Sequence, residues 1–308
     1  MPEMDARACS SRFAACTAAA VTPEQLIPYV LAMGGGTPHA CGDGIGYLRA
    51  GRLVLAAWPA CCNEYAGEGE GTDSLAAGVD ASVERALALP GVERITVLAP
   101  CRPSAAPDNA VSRRDRYWGL SLPVRPPAGR AGQKWRNTLI RARRDLAPDP
   151  NPADTAALAS TQKAGLWTRE HGDLVEQFLR SRPLGPGSAA LFRRIGAYLE
   201  AVPDALLFSA RSASGRLEGL CVGDCSALAT AFYLFAFRRP DSPPGTADLL
   251  LSALAETAAA RGHTRLNLGL GINPGIEFFK RKWGATPILP HVETSWTPAK
   301  KPWWRAWF

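Results

Sequence analysis

The chain has 308 residues, 46% of them hydrophobic and 20% charged, with a formal net charge of +7. That length suits one large domain or two modest ones with a sizeable core, and the composition is that of a globular chain and excludes a disordered one. Eight cysteines at 9, 16, 41, 61, 62, 101, 221 and 225 form no compact framework, which argues for reduced thiols, and the positive charge favours an acidic partner such as a nucleotide-linked compound or RNA.

Residues 1–20 are rich in Ala and other small residues, but Glu3, Asp5 and Arg12 interrupt any signal-peptide core, so the segment reads as a flexible N-terminus. No later run approaches the roughly 18 apolar residues of a membrane span, which implies a cytoplasmic protein without a transmembrane segment. Gly46–Trp58 predicts two strands around Ala50-Gly51. The acidic, Gly-rich stretch Glu64–Asp73 would repel a phosphate, so it reads as a loop entering a helix at Thr72 or Asp73. That helix runs over Ser74–Leu89, and strands follow at Val92–Leu98 and Tyr117–Val124. Residues 21–128 therefore make one α/β domain.

Pro126–Gly132 reads as a linker, and Gln133–Leu146 as an amphipathic helix with Lys134, Arg136, Arg141, Arg143 and Arg144 opposite Trp135, Leu139, Ala142 and Leu146. Its basic face is either simply solvated or a contact for tRNA or another polyanion. Asp145–Asp154 is a loop, and helices follow over Thr155–Leu179 and Ser188–Val202. Ser160-x-x-Lys163 matches a serine–lysine acylase pattern whose companion motifs are missing, so it carries no weight. Cys221 and Cys225 lack two further convergent ligands, and no metal is expected.

Leu206–Ala210 and Leu217–Val222 form a hairpin across Ser214-Gly215, pairing toward a strand over Ala227–Phe237 that Arg238-Arg239-Pro240 stops. The loop Asp241–Gly245 leads to Thr246 as N-cap of a helix whose Leu250, Leu251, Leu254, Ala255 and Ala258 share one face, ending at Gly262. Arg265–Leu268 is a strand, and Gly269, Gly271 and Asn273-Pro274-Gly275 turn it into a helix bearing Ile276, Phe279 and Trp283. Such a crossover places loops and helix N-termini at strand carboxyl ends, where ligands usually bind. Arg238 and Arg239 beside that helix start favour a phosphate or pyrophosphate.

Ser242-Pro243-Pro244-Gly245-Thr246-Ala247 resembles the cofactor loop of the GNAT acyltransferase superfamily, Gln/Arg-x-x-Gly-x-Gly/Ala, with Ser at the first position. Phe279-Lys280-Arg281-Lys282-Trp283-Gly284 and Lys134-Trp135-Arg136-Asn137 resemble motifs of its Fem-type branch, the peptidoglycan-bridge aminoacyltransferases. The resemblance implies an α/β fold with a GNAT-like mixed sheet flanked by helices over residues 129–298, followed by a basic, aromatic tail at 299–308. It also implies a degenerate tandem copy at 21–128, although the sequence carries no internal repeat.

The resemblance further implies an N-acyltransferase that uses acyl-CoA, an acyl carrier protein or aminoacyl-tRNA to acylate an amine-bearing small molecule or peptide. In this family an Asn opens the last helix and a Tyr seven positions later often protonates the leaving group; here those positions hold Asn273 and Lys280. Lys280 is thus expected to offer charge to the leaving group or a phosphate. The backbone at Phe235–Phe237 would hold the oxyanion, and Phe237, Arg238, Arg239, Gly245, Thr246, Ala247 and Asn273 would contact the cofactor. The general base stays open among Asp224, Tyr233, Glu277 and Glu293, with Tyr233 entered as catalytic beside Lys280. Two other readings stand beside this one: a fatty-acyl or aminoacyl tailoring enzyme for a peptide natural product, and a non-catalytic GNAT-like protein that binds RNA or a partner.

Overall fold

The computed structural model describes residues 11–58, 72–148, 167–182 and 184–299. Most of the Glu64–Asp73 loop, the stretch 155–166 with Ser160 and Lys163, and the tail at 300–308 lie outside those residues. The chain forms two compact units from interleaved segments, the first from 35–116 and the stretch beginning at Ile288, the second from 10–34 and 117–287. Two short helices of the second unit open the described chain, α1 (11–18) and α2 (Ile27–Ala32).

In the first unit β1 (Thr37–Cys41), β2 (Gly44–Arg49) and β3 (Arg52–Ala56) run antiparallel in succession. Arg49 pairs with Arg52 across Ala50 and Gly51, both at positive φ, the two-residue turn whose twist suits a hairpin. Helix α3 (Thr72–Leu87) then crosses to β4 (Arg94–Ala99), which lies parallel to β3. Val79, Val83 and Ala86 pack against Leu53, Leu55, Ile95 and Val97, so one stripe of α3 meets alternate residues of the strands. The next strand, β5 (Val111–Ser121), begins earlier than its apolar part suggested, because residues 111–116 are largely exposed polar positions that carry no alternating signal.

The second unit contains α4 (Gly129–Asp145), β6 (Leu146–Pro148), α5 (Arg169–Ser181), α6 (Pro186–Phe192) and α7 (Ile195–Ala201). The single helix expected over Ser188–Val202 is therefore two, broken at Arg193-Arg194. Strands β7 (Ala205–Ser212), β8 (Leu217–Asp224) and β9 (Thr230–Arg238) form an antiparallel meander. Helix α8 (Thr246–Ala260) leads to β10 (Arg265–Leu270), parallel to β9 on one side and antiparallel to the end of β5 on the other. Helix α9 (Pro274–Lys282) and β11 (Thr286–Trp296) complete the described chain, and β11 pairs antiparallel with β4 inside the first unit. Each unit thus carries the same order of three antiparallel strands, a crossing helix and a parallel strand.

In the second unit helices cover both sheet faces. Leu249–Leu251, Leu254 and Ala258 of α8 and Leu139 and Ala142 of α4 bury one face with Leu206, Phe208 and Cys221. Leu174, Val175, Ile195 and Tyr198 bury the other with Leu207, Leu220, Val222, Phe235 and Phe237. Buried faces on both sides explain why β7 to β9 read as continuous apolar runs, not as alternation.

Candidate functional site

Strand β9 breaks its own pattern at Leu234. Gly223 pairs with Tyr233 and Val222 with Phe235, so Leu234 is an extra residue, a β-bulge. A one-residue insertion flips every later side chain. Accordingly Ala231 and Tyr233 face α8, whereas Phe235 and Phe237 face α5 and α7. Ala236 and Arg238 then point to the α8 side, and both are exposed on a strand that is otherwise mostly buried.

Beside the bulge the sheet opens. The parallel ladder joins Thr230 to Arg265, Ala231 to Leu266 and Phe232 to Asn267 and goes no farther, although β9 runs on to Arg238 and β10 to Leu270. Residues 233–238 therefore have no ladder partner on the β10 side, and exposed Ala236 lies along the gap. Such a gap can seat an extended acyl chain and offer backbone N–H groups to a carbonyl oxygen.

The loop after β9 is tightly organised. Gly245 at φ 92° is the N-cap of α8, and Thr246, expected as the cap, is its first helical residue. Only glycine takes that backbone angle without strain, so the cap falls one position earlier. The Thr246 amide and hydroxyl both donate to the Pro243 carbonyl, at 3.3 and 2.7 Å. A Cβ at position 245 would lie 3.0 Å from the Ala142 Cβ and 3.1 Å from Thr138 Cγ2, so α4 covers this glycine closely. Ala247 follows Thr246 in the first turn of α8.

Arg238 donates to Ser242 Oγ at 3.3 Å and stays exposed, while Arg239 turns away, its Nε donating to the Leu217 carbonyl at 2.7 Å and Nη1 to Gln177 at 3.2 Å. The Phe237 ring sits edge-on against Phe178 and Phe192, leaving only its backbone toward the strand edge. Next to Pro244, a cavity of about 520 Å³ is lined by Arg130, Gln133, Lys134, Asn137, Thr138 and Arg141 of α4. These positions share one helix face, and among the described residues Arg130, Lys134 and Arg141 make no ion pair.

On α9, Asn273 Oδ1 accepts the Ile276 amide at 3.0 Å and caps the helix. Lys280 is buried, and its Nζ donates to the carbonyls of Gly269 at 2.9 Å and Leu270 at 2.5 Å, the last residues of β10. Asp248 of α8 accepts from Lys282 at 2.7 Å and from the indole of fully buried Trp283 at 2.9 Å, which locks α9 onto α8.

Tyr233 is half-buried against the α8 core, and burial, then the nearby Cys221 and Asp248, push its phenol well above the ordinary value. Among the other base candidates, Glu277 pairs with Arg281 at 2.8 Å, and Glu293 lies on β11 opposite Leu98 in the first unit. Asp224 is wholly buried, accepts from Tyr198 and takes the Ser226 amide at 2.7 Å. Burial raises its pKa, against the lowering pull of those hydrogen bonds. A carboxyl raised on folding stabilises the fold while protonated, and that contribution is lost as pH climbs through the elevated folded value. The melting temperature of Asp224→Asn, relative to wild type, should therefore rise as pH climbs above the ordinary carboxyl value of about 4.

One residue at this site had no signal in the sequence. The turn 23–25 is held by Gln25, whose Oε1 accepts the Val21 and Thr22 amides at 2.9 and 3.1 Å. Asn267, the last β10 residue paired with β9, donates from Nδ2 to the Val21 carbonyl at 2.7 Å. Tyr117 of β5, opposite Leu270, donates from its hydroxyl to Glu24 Oε2 at 2.8 Å. A half-buried carboxylate is thereby carried to the point where the strands part.

Among the described residues no group of three or more His, Cys, Asp or Glu side chains could hold a metal ion, and no helix is long and apolar enough to cross a membrane. No family model matches the chain, and no curated protein matches it. Solved structures do. The C-terminal domain of a protein described as a lysylphosphatidylglycerol synthetase from Agrobacterium fabrum is 12% identical, with a TM-score of 0.56, over 92% of this chain and 90% of that one. L-PGS from Bacillus licheniformis is 13% identical at a TM-score of 0.53, over 91% and 88% of the two chains. FemX is 11% identical at a TM-score of 0.53, over 87% and 90%. The chain thus shares with these proteins a mixed α/β fold, with parallel and antiparallel strands flanked by helices.

Proposed function

We propose that the chain is an N-acyltransferase that moves an aminoacyl group from a charged tRNA onto an amine. The observation that carries the acyl-transfer reading is the parting of β9 and β10 beside the Leu234 bulge, which leaves an open backbone edge next to exposed Ala236. The carbonyl oxygen of the donor becomes negative as the amine attacks, and backbone N–H groups at 235–237 are the donors proposed to hold it. Lys280, at the end of β10, supplies positive charge toward the leaving oxygen or a phosphate. Tyr233, with its raised phenol, serves as an acid, not as a base at neutral pH.

The choice of donor rests on the loop at 242–247. A CoA pyrophosphate needs free amides at the start of α8, yet Gly245 is covered by Thr138 and Ala142, Thr246 is bonded to Pro243, and Arg239 is engaged with Leu217 and Gln177. The adjoining cavity instead offers a row of cations along α4, the pattern that tracks a phosphate backbone. One structure with the same fold is named for making lysylphosphatidylglycerol, a lysyl-bearing product. By the same logic the first unit, with its repeated strand order, is a degenerate copy of the second.

The test is transfer of label from tRNA charged with radioactive amino acids, and in parallel from acetyl-CoA and a long-chain acyl-CoA, to a primary amine. Charged tRNA should bind more tightly than uncharged, with a steep salt dependence that weakens by about one unit of slope per cation in Arg130→Gln and Lys134→Gln. Turnover from acyl-CoA alone would overturn the donor assignment. Binding of RNA without transfer to any amine would leave a non-catalytic binding protein.

A further inference from the structure

We infer that Glu24 is the acceptor-binding residue, its carboxylate holding a cationic primary amine beside the carbonyl carbon presented where β9 and β10 part. This deepens the acyl-transfer reading and rests on it. Three observations converge on Glu24. The turn that bears it is fastened to the parting point through Asn267 and the Val21 carbonyl, so its position is set by the same residue that ends the β9–β10 ladder. Its carboxylate is oriented by the Tyr117 hydroxyl, from a strand paired with the free end of β10. Its surroundings are aromatic, which suits an ammonium group. Tyr29 lies close enough to feel the Glu24 charge, stacks edge-on against Tyr198 at 5.2 Å, approaches Phe235 at 6.2 Å and, like the bulge residue Leu234, packs on the buried cluster of Leu26 and Phe232.

The chemistry of that corner distinguishes its two carboxyls. Asp224 is wholly enclosed, accepts from Tyr198 and Ser226, and offers no face to a ligand. Glu24, Tyr29 and Leu234 are each half-buried, so Glu24 keeps a solvent exposure that Asp224 lacks. A carboxylate between tyrosines selects a charged amine over a neutral nucleophile, because only the former gains the ion pair and the ring contact. The held ammonium has no lone pair, so the attacking nitrogen is a second, neutral amino group of the same acceptor, as in lysinamide: its C–N bond to the acyl carbon forms as the acyl C–O bond to the donor breaks, and its proton passes on to the leaving oxygen. The acceptor class is therefore a compound or peptide with two amino groups, one of them held as ammonium.

Two nucleophiles test this with the full-length chain: lysinamide, a cationic amine, and hydroxylamine, which is neutral at neutral pH. With the labelled donor that wild type uses, Glu24→Gln should raise KM for lysinamide about tenfold or more, leaving kcat and the KM for hydroxylamine within about twofold. Tyr117→Phe, which keeps the carboxylate and removes its orienting bond, should give a smaller rise of the same kind. A loss shared equally by both nucleophiles, or no change in either KM, would overturn the role of Glu24 alone. Should Glu24→Gln not fold, an unchanged lysinamide KM in Tyr117→Phe would overturn it. Absence of transfer to either nucleophile by wild type would overturn the acyl-transfer reading, and the acceptor site with it.

Discussion

Lys280→Met should lower stability by about 2–3 kcal/mol and transfer by about a hundredfold beyond any loss of folded protein. The stability effect follows from the carbonyls of Gly269 and Leu270, which accept from Nζ at 2.9 and 2.5 Å. An acceptor stripped of its partner costs about 1–3 kcal/mol when buried. Gly269 and Leu270 are themselves half-buried, which puts the sum at the low end, and the methionine no longer requires an ammonium to leave water. For a chain of this size such a change lowers the melting temperature by roughly 3–5 °C. The kinetic effect has a separate origin. The ammonium fixes the end of β10 just where β9 has departed, so it shapes the gap as well as charging it. Lys280→Arg keeps the charge but not the reach, and should recover stability only in part. If folded Lys280→Met transfers within threefold of wild type, the lysine is a strand clamp alone.

The elements that frame the site were legible because their signals are local. Helix α8 announces itself by apolar residues at three- and four-residue steps and by Gly262 at φ 87° beyond its end, and α9 by Asn273, whose side chain does cap it. The bulge was not legible. Phe232–Phe237 is apolar throughout, so a one-residue slip leaves no break in the pattern, and only pairing with β8 reveals that Phe235 and Phe237 have changed face. Strand β11 was hidden by Pro287 and Pro290, which cannot donate to a ladder; both precede the residues from Val292 on that pair with β4. The Glu24 corner was illegible for another reason. Val21 meets Asn267 across almost the whole chain, and no periodicity within the segment 21–26 encodes a partner so distant. The resemblance located Lys280, yet the carbonyls it binds, of Gly269 and Leu270, lie beyond the apolar run that ends at Leu268.

Ala236→Trp should abolish transfer, by a hundredfold or more, which corresponds to about 3 kcal/mol of transition-state free energy, while the melting temperature moves by only about 2 °C or less. Ala236 is exposed on a strand whose neighbours Phe235 and Phe237 are buried, so a larger side chain there displaces solvent or ligand, not core. Its pairing with Cys221 of β8 is through the backbone and survives the change, and tryptophan suits a strand. Ala236→Ser, nearly isosteric, should leave transfer within about twofold. The pair separates two uses of the same gap. If the donor's acyl arm lies along the open edge of β9, bulk at 236 blocks it, and RNA binding through α4 persists because Arg130, Lys134 and Arg141 lie on another element. A tryptophan variant that binds charged tRNA yet cannot transfer would place the acyl arm in the gap and the polyanion outside it. A variant that transfers normally would mean that the opening between β9 and β10 is a feature of the sheet alone, and that the reacting carbon is held elsewhere.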